Sequence, residues 1–293
     1  MQPGTPNLRL GTGPVRARIN SAEHGLMKAM KLYSDVHRIY NNLAALGIAP
    51  DQKLRVDQLT PFDQYHYDGT DAVDLALKVF DLRPAARILD IGSGIGGPAR
   101  YIAARTGAHV TALEIQPDLD AVACDLTERC GLSAQVWHLC ADILDGSPAE
   151  PFDAIISMLC MMHVPDKPRL FAACRAALKP GAAMYIEDFG KARILTDAET
   201  QTLAVKVQTT DLPTPAEYRD HLAAAGFGDV SFTDVSAEWR MVSANRVAVA
   251  RAGRARNIEI HGTAIVDGLE DFYQSVDDLW SSGALAGLRI VAR

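Results

Sequence analysis

Residues 87–97 read Arg-Ile-Leu-Asp-Ile-Gly-Ser-Gly-Ile-Gly-Gly, and no other stretch limits the fold as tightly. A short apolar run (Ile88, Leu89, Ile91) feeds a glycine-rich turn, and a helical pattern follows from Pro98. This is a strand, a tight loop and a helix N-terminus. Gly92, Gly94 and Gly96 let a backbone approach a bulky ligand that side chains would keep away. The spacing Gly92-x-Gly94-x-x-Gly97 also satisfies the dinucleotide fingerprint, so by itself it does not choose a ligand. Three acids choose against a dinucleotide. Asp90 stands at the strand end, where a pyrophosphate would meet a carboxylate. Glu114 ends a second strand (109–115), placed to accept both hydroxyls of a ribose. Asp142-Ile143 follows a third strand (135–140), offering an acid for an adenine amine and an apolar face for its ring.

Strands and helices alternate around this loop. Strand 86–91 leads to helix 97–106, strand 109–115 to helix 117–130, and strand 135–140 to a loop. Strand 152–158 leads to helix 167–177, and Lys179-Pro180-Gly181 turns into strand 183–188. Such alternation implies a parallel sheet with helices on both faces, and ligands beyond the strand C-termini. After residue 190 the pattern changes: helix 215–225, strand 229–236, a long helical stretch at 237–282 and a last strand at 287–292. Upstream, Leu26, Met27, Met30, Tyr33, Val36, Ile39, Tyr40 and Leu43 keep helical spacing within 21–48, and 71–82 is amphipathic.

Composition narrows the function classes. The 293 residues carry a net charge of -7 with 48% hydrophobic and 22% charged residues, as expected of a globular chain with a full core. An acidic chain binds nucleic acid and anionic membranes poorly, so the expected partner is a small molecule, not nucleic acid or a membrane. No run approaches the roughly 20 apolar residues of a membrane helix. The five cysteines form no C-x-x-C pair and read as small core residues in a reduced, cytoplasmic compartment. The eight histidines make no close-spaced ligand pair, so no metal is expected. The Pro/Gly-rich, arginine-bearing start reads as a disordered tail, with a transit peptide as the alternative.

The glycine loop with Asp90, Glu114 and Asp142-Ile143 resembles the S-adenosylmethionine (SAM) site of class I methyltransferases. The resemblance sharpens along the chain. Asp63-Gln64-Tyr65-His66-Tyr67-Asp68-Gly69 precedes the core, and Leu89 to Tyr101 carries the loop. Met162-His163-Val164-Pro165-Asp166-Lys167 and Leu178-Lys179-Pro180-Gly181 follow, and Trp280 with Gly287-Leu288-Arg289-Ile290-Val291 closes the series. The set is similar to sarcosine/dimethylglycine N-methyltransferases and their phosphoethanolamine relatives. It implies an α/β, Rossmann-like doubly wound methyltransferase sheet. A disordered tail (1–20) would precede an N-terminal helical lid (21–70). A SAM-binding core (71–236) would follow, then a helical cap (237–283) inserted before the final strand (284–293).

The same resemblance implies site roles. Asp90, Gly92, Ser93 and Gly94 would line the methionine part of SAM, and Glu114, Ile115 and Gln116 the ribose. Asp142 and Ile143 would take the adenine, with Ser157 nearby. His163 matches the family's catalytic histidine, and Tyr33 the tyrosine that locks the site over it. Gln64, Tyr65, His66, Met158, Leu159, Met162, Phe189 and Arg240 would meet the acceptor. SAM is the expected cofactor, with S-adenosylhomocysteine as its product.

Departures from the family pattern matter for the acceptor. Leu159 stands where the family carries an aspartate facing a cationic amine. Phe189, Gln208 and Thr210 fall where its phosphate pocket has tyrosine and arginine. Phosphoethanolamine is therefore an unexpected substrate. N-methylation of a sarcosine- or dimethylglycine-type amino acid is the leading expectation, with Arg240 for its carboxylate. The alternatives are O-, S- or C-methylation of a more apolar small molecule, and a SAM-binding regulatory subunit. Asp166-Lys167 reads as a helix start with a solvated lysine. Oligomeric state is open.

Overall fold

The computed structural model describes residues 8–9, 35–83, 85–148 and 150–293. Tyr33, the rest of the expected tail and the first part of the expected lid lie outside them. Seven strands form the main sheet: β1 (Arg87–Ile91), β2 (His109–Glu114), β3 (Val136–Cys140), β4 (Phe152–Met158), β5 (Leu178–Lys191), β6 (Val230–Asp234) and β7 (Leu285–Ala292). Their order is β3-β2-β1-β4-β5-β7-β6. The pairings from β3 through β5 are parallel, and β7 runs antiparallel to both β5 and β6. β1 is central and buried on both faces (Ile88 0%, Leu89 3%, Ile91 3%). That burial explains why it reads as a continuous apolar run and not an alternating one. The order reverses between β1 and β4, so a crevice opens beyond their C-terminal ends. The glycine loop, Glu114, Asp142 and His163 all leave the sheet at that edge.

The helices follow from local signals. α1 (Arg38–Ala45) and α2 (Val56–Asp63) precede α3 (Gly69–Phe80); α2 falls within the span of the expected helical lid, where the apolar spacing delimited no separate helix. α4 (Gly97–Thr106) starts after a left-handed Gly96 with Pro98 in its first turn, as missing donors there cost nothing. A Cβ on Gly97 would stand 2.2 Å from the Asp63 carbonyl oxygen, so α2 touches α4 only because no side chain intervenes. α5 (Pro117–Arg129) and α6 (Lys167–Ala177) complete the parallel units. The Asp166 carboxylate accepts the Arg169 N–H at 3.1 Å and caps α6. Lys167 is not solvated: it is 1% exposed. Its Nζ donates to the carbonyls of Val164 (2.7 Å) and Asp211 (3.2 Å), which satisfy the buried ammonium.

β5 is longer than its apolar centre. Leu178 pairs with Phe152 and Ala183 with Ala154, so the expected turn at Lys179–Gly181 survives as an excursion inside one strand. After β5, Thr196 and Glu199 form a capping box for α7 (Asp197–Thr202). α7 runs into a π-helical turn, Leu203–Val207, which ends at a left-handed Gln208. Nothing in the local residue pattern marks this turn. α8 (Pro215–Ala224) is capped in the same way by Thr214 and Glu217. Between β6 and β7 come α9 (Ser236–Ala252), α10 (Arg254–His261) and α11 (Thr263–Ser281). Leu8–Arg9 pairs with Ser147–Pro148, a contact absent from the expected disordered tail.

Apolar clusters fill both sheet faces. A third joins the cap to the sheet through Tyr67, Phe189, Trp239 and Trp280. Tyr67 stacks on Trp239 (centroids 4.7 Å apart, 11°) and accepts the Trp280 Nε1–H at 3.0 Å. Of the cysteines expected in the core only Cys174 is buried; Cys124 and Cys140 are exposed. Among the described residues no helix is long and apolar enough to cross a membrane.

Candidate active site

Beyond the ends of β1, β2 and β4 lies a cleft holding about 990 Å³ of empty space including its mouth. Asp90, Gly92, Ser93, Gly94, Glu114, Ile115, Gln116, Asp142 and Ile143 all line it, joined by Tyr65, His66, Met158, Leu159 and His163. Ser157 does not. Its hydroxyl donates to the Ile91 carbonyl at 3.0 Å and braces β4 against β1 in the core. The structure therefore corrects Ser157 from a ligand contact to a structural one.

The loop's geometry is set by what surrounds it. Gly92 has φ +73°, and a Cβ there would stand 2.2 Å from the Cys160 sulfur. The loop can therefore run under the turn after β4 only with glycine. The Glu114 carboxylate accepts the N–H groups of Gly94 (2.9 Å) and Gln116 (2.9 Å), which orient it. Burial pushes its pKa up, and those two N–H groups oppose the rise. Asp90 is pushed up to about 7, first by burial and then by the charge of Glu114. Asp90 Oδ2, Ser93 Oγ and Gln116 Oε1 are buried without a protein partner. Three such atoms in one cleft mark polar positions that a ligand satisfies. The Asp142 carboxylate accepts the Leu144 N–H at 2.9 Å and caps the turn that carries Ile143.

Leu159 adopts φ +53°, a left-handed conformation that β-carbon-bearing residues avoid. Its N–H is tied to the Glu187 carbonyl at 2.7 Å. The strain turns the chain sharply into the helical turn Met161–His163. His163 Nδ1 lies 3.2 Å from the carbonyl of Gln208 and donates to it, so Nε2 keeps its lone pair. Burial pushes His163 down to about 4, with Lys167 adding to the effect, so the ring is neutral near pH 7. Thr209 Oγ1 donates to the Met162 carbonyl at 2.7 Å. The residues after the π-helical turn thus clasp the histidine turn from behind. Sequence gave no sign of that clasp, because the partners are 45 residues apart.

His66 is buried and pushed down to about 4 by desolvation. Its ring nitrogens meet the Tyr67 carbonyl (2.9 Å) and Gln64 Oε1 (3.0 Å). Gln64 Nε2 donates to Asp63 (2.8 Å), and Asp63 pairs with Arg100 at 2.9 Å, both side chains fully buried. This chain of contacts fixes segment 64–67 against α4. Removing one member of such a buried ion pair costs about 3–5 kcal/mol.

A second and larger chamber, about 2540 Å³ including open space, lies under α9–α11. It shares Tyr65 and Leu159 with the cleft. Gln64, Met162 and Phe189 line this chamber and not the cleft. Its inner wall is apolar (Tyr67, Met162, Phe189, Val207, Phe272, Val276), and its polar groups include Arg246, Asn257 and His261. Arg240 is exposed and borders neither space, a second correction. Tyr33 lies outside the described residues. Away from both spaces, Asp120 and Cys124 on α5 meet His138 on β3, with ligand-type atoms within 4.8 Å of one another. Sequence spacing could not show this trio, since it joins a helix to a strand.

Comparison with known proteins agrees with this architecture. The profile of the family described as "Methyltransferase domain" matches residues 64–231. Phosphoethanolamine N-methyltransferase 1 of Arabidopsis thaliana is 30% identical over 175 residues, covering 59% of this chain and 35% of that protein. A glycine/sarcosine/dimethylglycine N-methyltransferase of Actinopolyspora halophila is 30% identical over 162 residues, 53% of this chain and 28% of that one. The matched part thus spans about a third of these curated relatives' length. Among solved structures, Haemonchus contortus phosphoethanolamine N-methyltransferase 2 superposes with TM-score 0.71 at 23% identity. That match covers 76% of this chain and 52% of that one, and the structure holds phosphomonomethylethanolamine and S-adenosylhomocysteine. It shares the fold.

Proposed function

The chain belongs to the methyltransferase-domain family, and from that premise we propose that it moves a methyl group from SAM to a bulky, largely apolar small molecule held under the cap. The carrying observation is the junction. The cleft and the chamber meet at Tyr65 and Leu159, and Leu159 presents an apolar surface there. An acceptor entering from the chamber passes an aromatic ring and a leucine, not a carboxylate. The chamber, with a cavity volume of about 720 Å³, falls in the upper part of the roughly 300–1,000 Å³ common for drug-sized ligands.

The cleft fits SAM on its own chemistry. The buried, unpartnered Asp90 Oδ2 suits a cationic amine, and Glu114 at the strand tip suits the ribose hydroxyls. Asp142 and Ile143 suit the adenine. SAM, when bound, supplies an electrophilic methyl on a cationic sulfur. The protein holds nucleophile and methyl in line and keeps water out. His163 Nε2 receives the acceptor's proton. With a pKa near 4 it is too weak to remove a hydroxyl proton in advance. A hydroxyl that has begun to bond carbon becomes strongly acidic, and a neutral imidazole then suffices. Proton loss therefore follows or accompanies methyl transfer.

A second reading is N-methylation of a glycine-type amino acid, favoured by the 30% identity to the Actinopolyspora halophila enzyme. Labelled SAM decides between them. Turnover should occur with lipophilic phenols, sterols or acyl compounds and be weak with sarcosine, dimethylglycine and phosphoethanolamine. Sarcosine turnover at the rate of the best lipophilic acceptor would overturn the bulky-acceptor reading.

A further inference from the structure

Arg246 projects from α9 into the acceptor chamber. Its guanidinium lies over the Tyr67 ring, 4.6 Å from the centroid. One of its N–H groups donates to the His66 carbonyl. The side chain is half-buried, and among the described residues no carboxylate pairs with it. Arg38, also on the chamber wall, lies over the Tyr65 ring, 4.8 Å from its centroid. Lys206 pairs with Asp271, and Arg254 with Asp267 and Glu270, so Glu270 and Asp271 are already neutralised. A guanidinium offers five donors in a rigid fork, and one is committed to His66. A half-buried cation without a counter-ion loses hydration that a carbonyl and a ring face only partly replace. Its remaining donors suit a carboxylate, whose two oxygens match the fork.

We propose that Arg246 reads an anionic oxygen group on the acceptor, so that the substrate class is an amphipathic acid with an apolar body and a carboxylate or equivalent oxyanion. This rests on the bulky-acceptor reading above and adds a charge to it. The placement also has a consequence for the cofactor side. Arg246 holds the carbonyl of His66, which lines the cleft, and the ring of Tyr67, which lines the chamber. An anion seated on Arg246 therefore steadies the segment between the two spaces.

Calorimetry on the full chain saturated with S-adenosylhomocysteine tests this, with decanoate and the uncharged decanamide as probes. Wild type should prefer decanoate by about ten- to hundredfold, the range of a charge-assisted hydrogen bond. Arg246→Met, which keeps an apolar stem, should abolish the preference while still binding decanamide. Arg246→Lys should keep part of it, since the charge remains and the fork does not. An unaltered preference in Arg246→Met, or equal loss of both probes, would mean that Arg246 only clamps Tyr67 and His66. Decanamide binding as tightly as decanoate in wild type overturns the anion assignment alone. No binding of either probe overturns the bulky-acceptor reading, and the anion assignment with it.

Discussion

The cofactor cleft and the cap chamber touch through Tyr65 and Leu159, yet they are assembled from the chain in opposite ways. The cleft is mostly strand tips: each acid or glycine lies at the end of a strand or a few residues beyond it, and the parallel sheet brings all the tips to one edge. The chamber is made from α1, the 64–67 segment, the turn after β4, the π-helical turn and all three cap helices. Its polar groups are charges and amides on helices, whose direction depends on helix phase. A site of strand tips tolerates divergence elsewhere and keeps its ligand. A site of helix faces changes its ligand with a few substitutions. One half then holds a cofactor common to many enzymes, and the other sets what is unusual about this one.

The sharpest way to separate the halves is His163→Ala. With a hydroxyl acceptor, kcat should fall by about 10²–10⁴, while S-adenosylhomocysteine affinity measured by calorimetry stays within about twofold. Parallel losses in both would show that the turn after β4 belongs to cofactor binding.

Gly92→Ala probes the other half. Its Cβ meets the Cys160 sulfur at 2.2 Å, and its φ of +73° disfavours any side chain. The left-handed cost of about 1–2 kcal/mol and overpacking of about 1–3 kcal/mol together predict cofactor binding weaker by roughly a hundredfold or more. Binding of an apolar probe in the chamber should survive. Adding Cys160→Ala should recover little, because the Cys160 Cβ, which alanine keeps, stands 2.4 Å from the same position.

A smaller effect comes from Asp90. Its pKa stands near 7 because burial and Glu114 disfavour its charge. The ionised form is the one that pairs with the cationic amine of the cofactor. Binding therefore strengthens as pH rises to about 7 and is flat above it. Between pH 7 and 6 affinity should fall by up to about tenfold, with proton release on binding. Titrating Asp90→Asn in the same way should give weaker binding and a flat profile; an unchanged slope would assign the proton to another group.

Much of the cleft was legible because its signals are local. The helices at 97–106 and 167–177 and the strand at 152–158 coincide with the sequence reading. Apolar runs and their punctuation are written within one βα unit, and the residues after a strand must emerge at its end. Asp90, Glu114 and Asp142 could be placed on that rule. Ser157 could not, since a residue near a strand end still has two faces to choose from, and the hydrogen bond to Ile91 took it inward.

What the sequence determined by itself was the sheet, the order of its βα units and the cofactor edge, because periodicity and turn chemistry act over a few residues. Tertiary structure decided the acceptor half. Arginines crowd the stretch 240–256, and nothing local says which of them turns inward. Trp239, Ser243 and Val247 pack inward. Arg246, two turns beyond Trp239, shares its line along the helix, while Arg240 is rotated by about 100°. Lys167 is buried because the Asp211 carbonyl, 44 residues on, joins that of nearby Val164 in receiving it. His163 is a weak base because burial disfavours its charged form, an effect that the Gln208 carbonyl opposes and outlying Lys167 reinforces. Helix phase, burial and long-range hydrogen bonds depend on partners far along the chain, and those partners exist only once the cap has folded over the sheet.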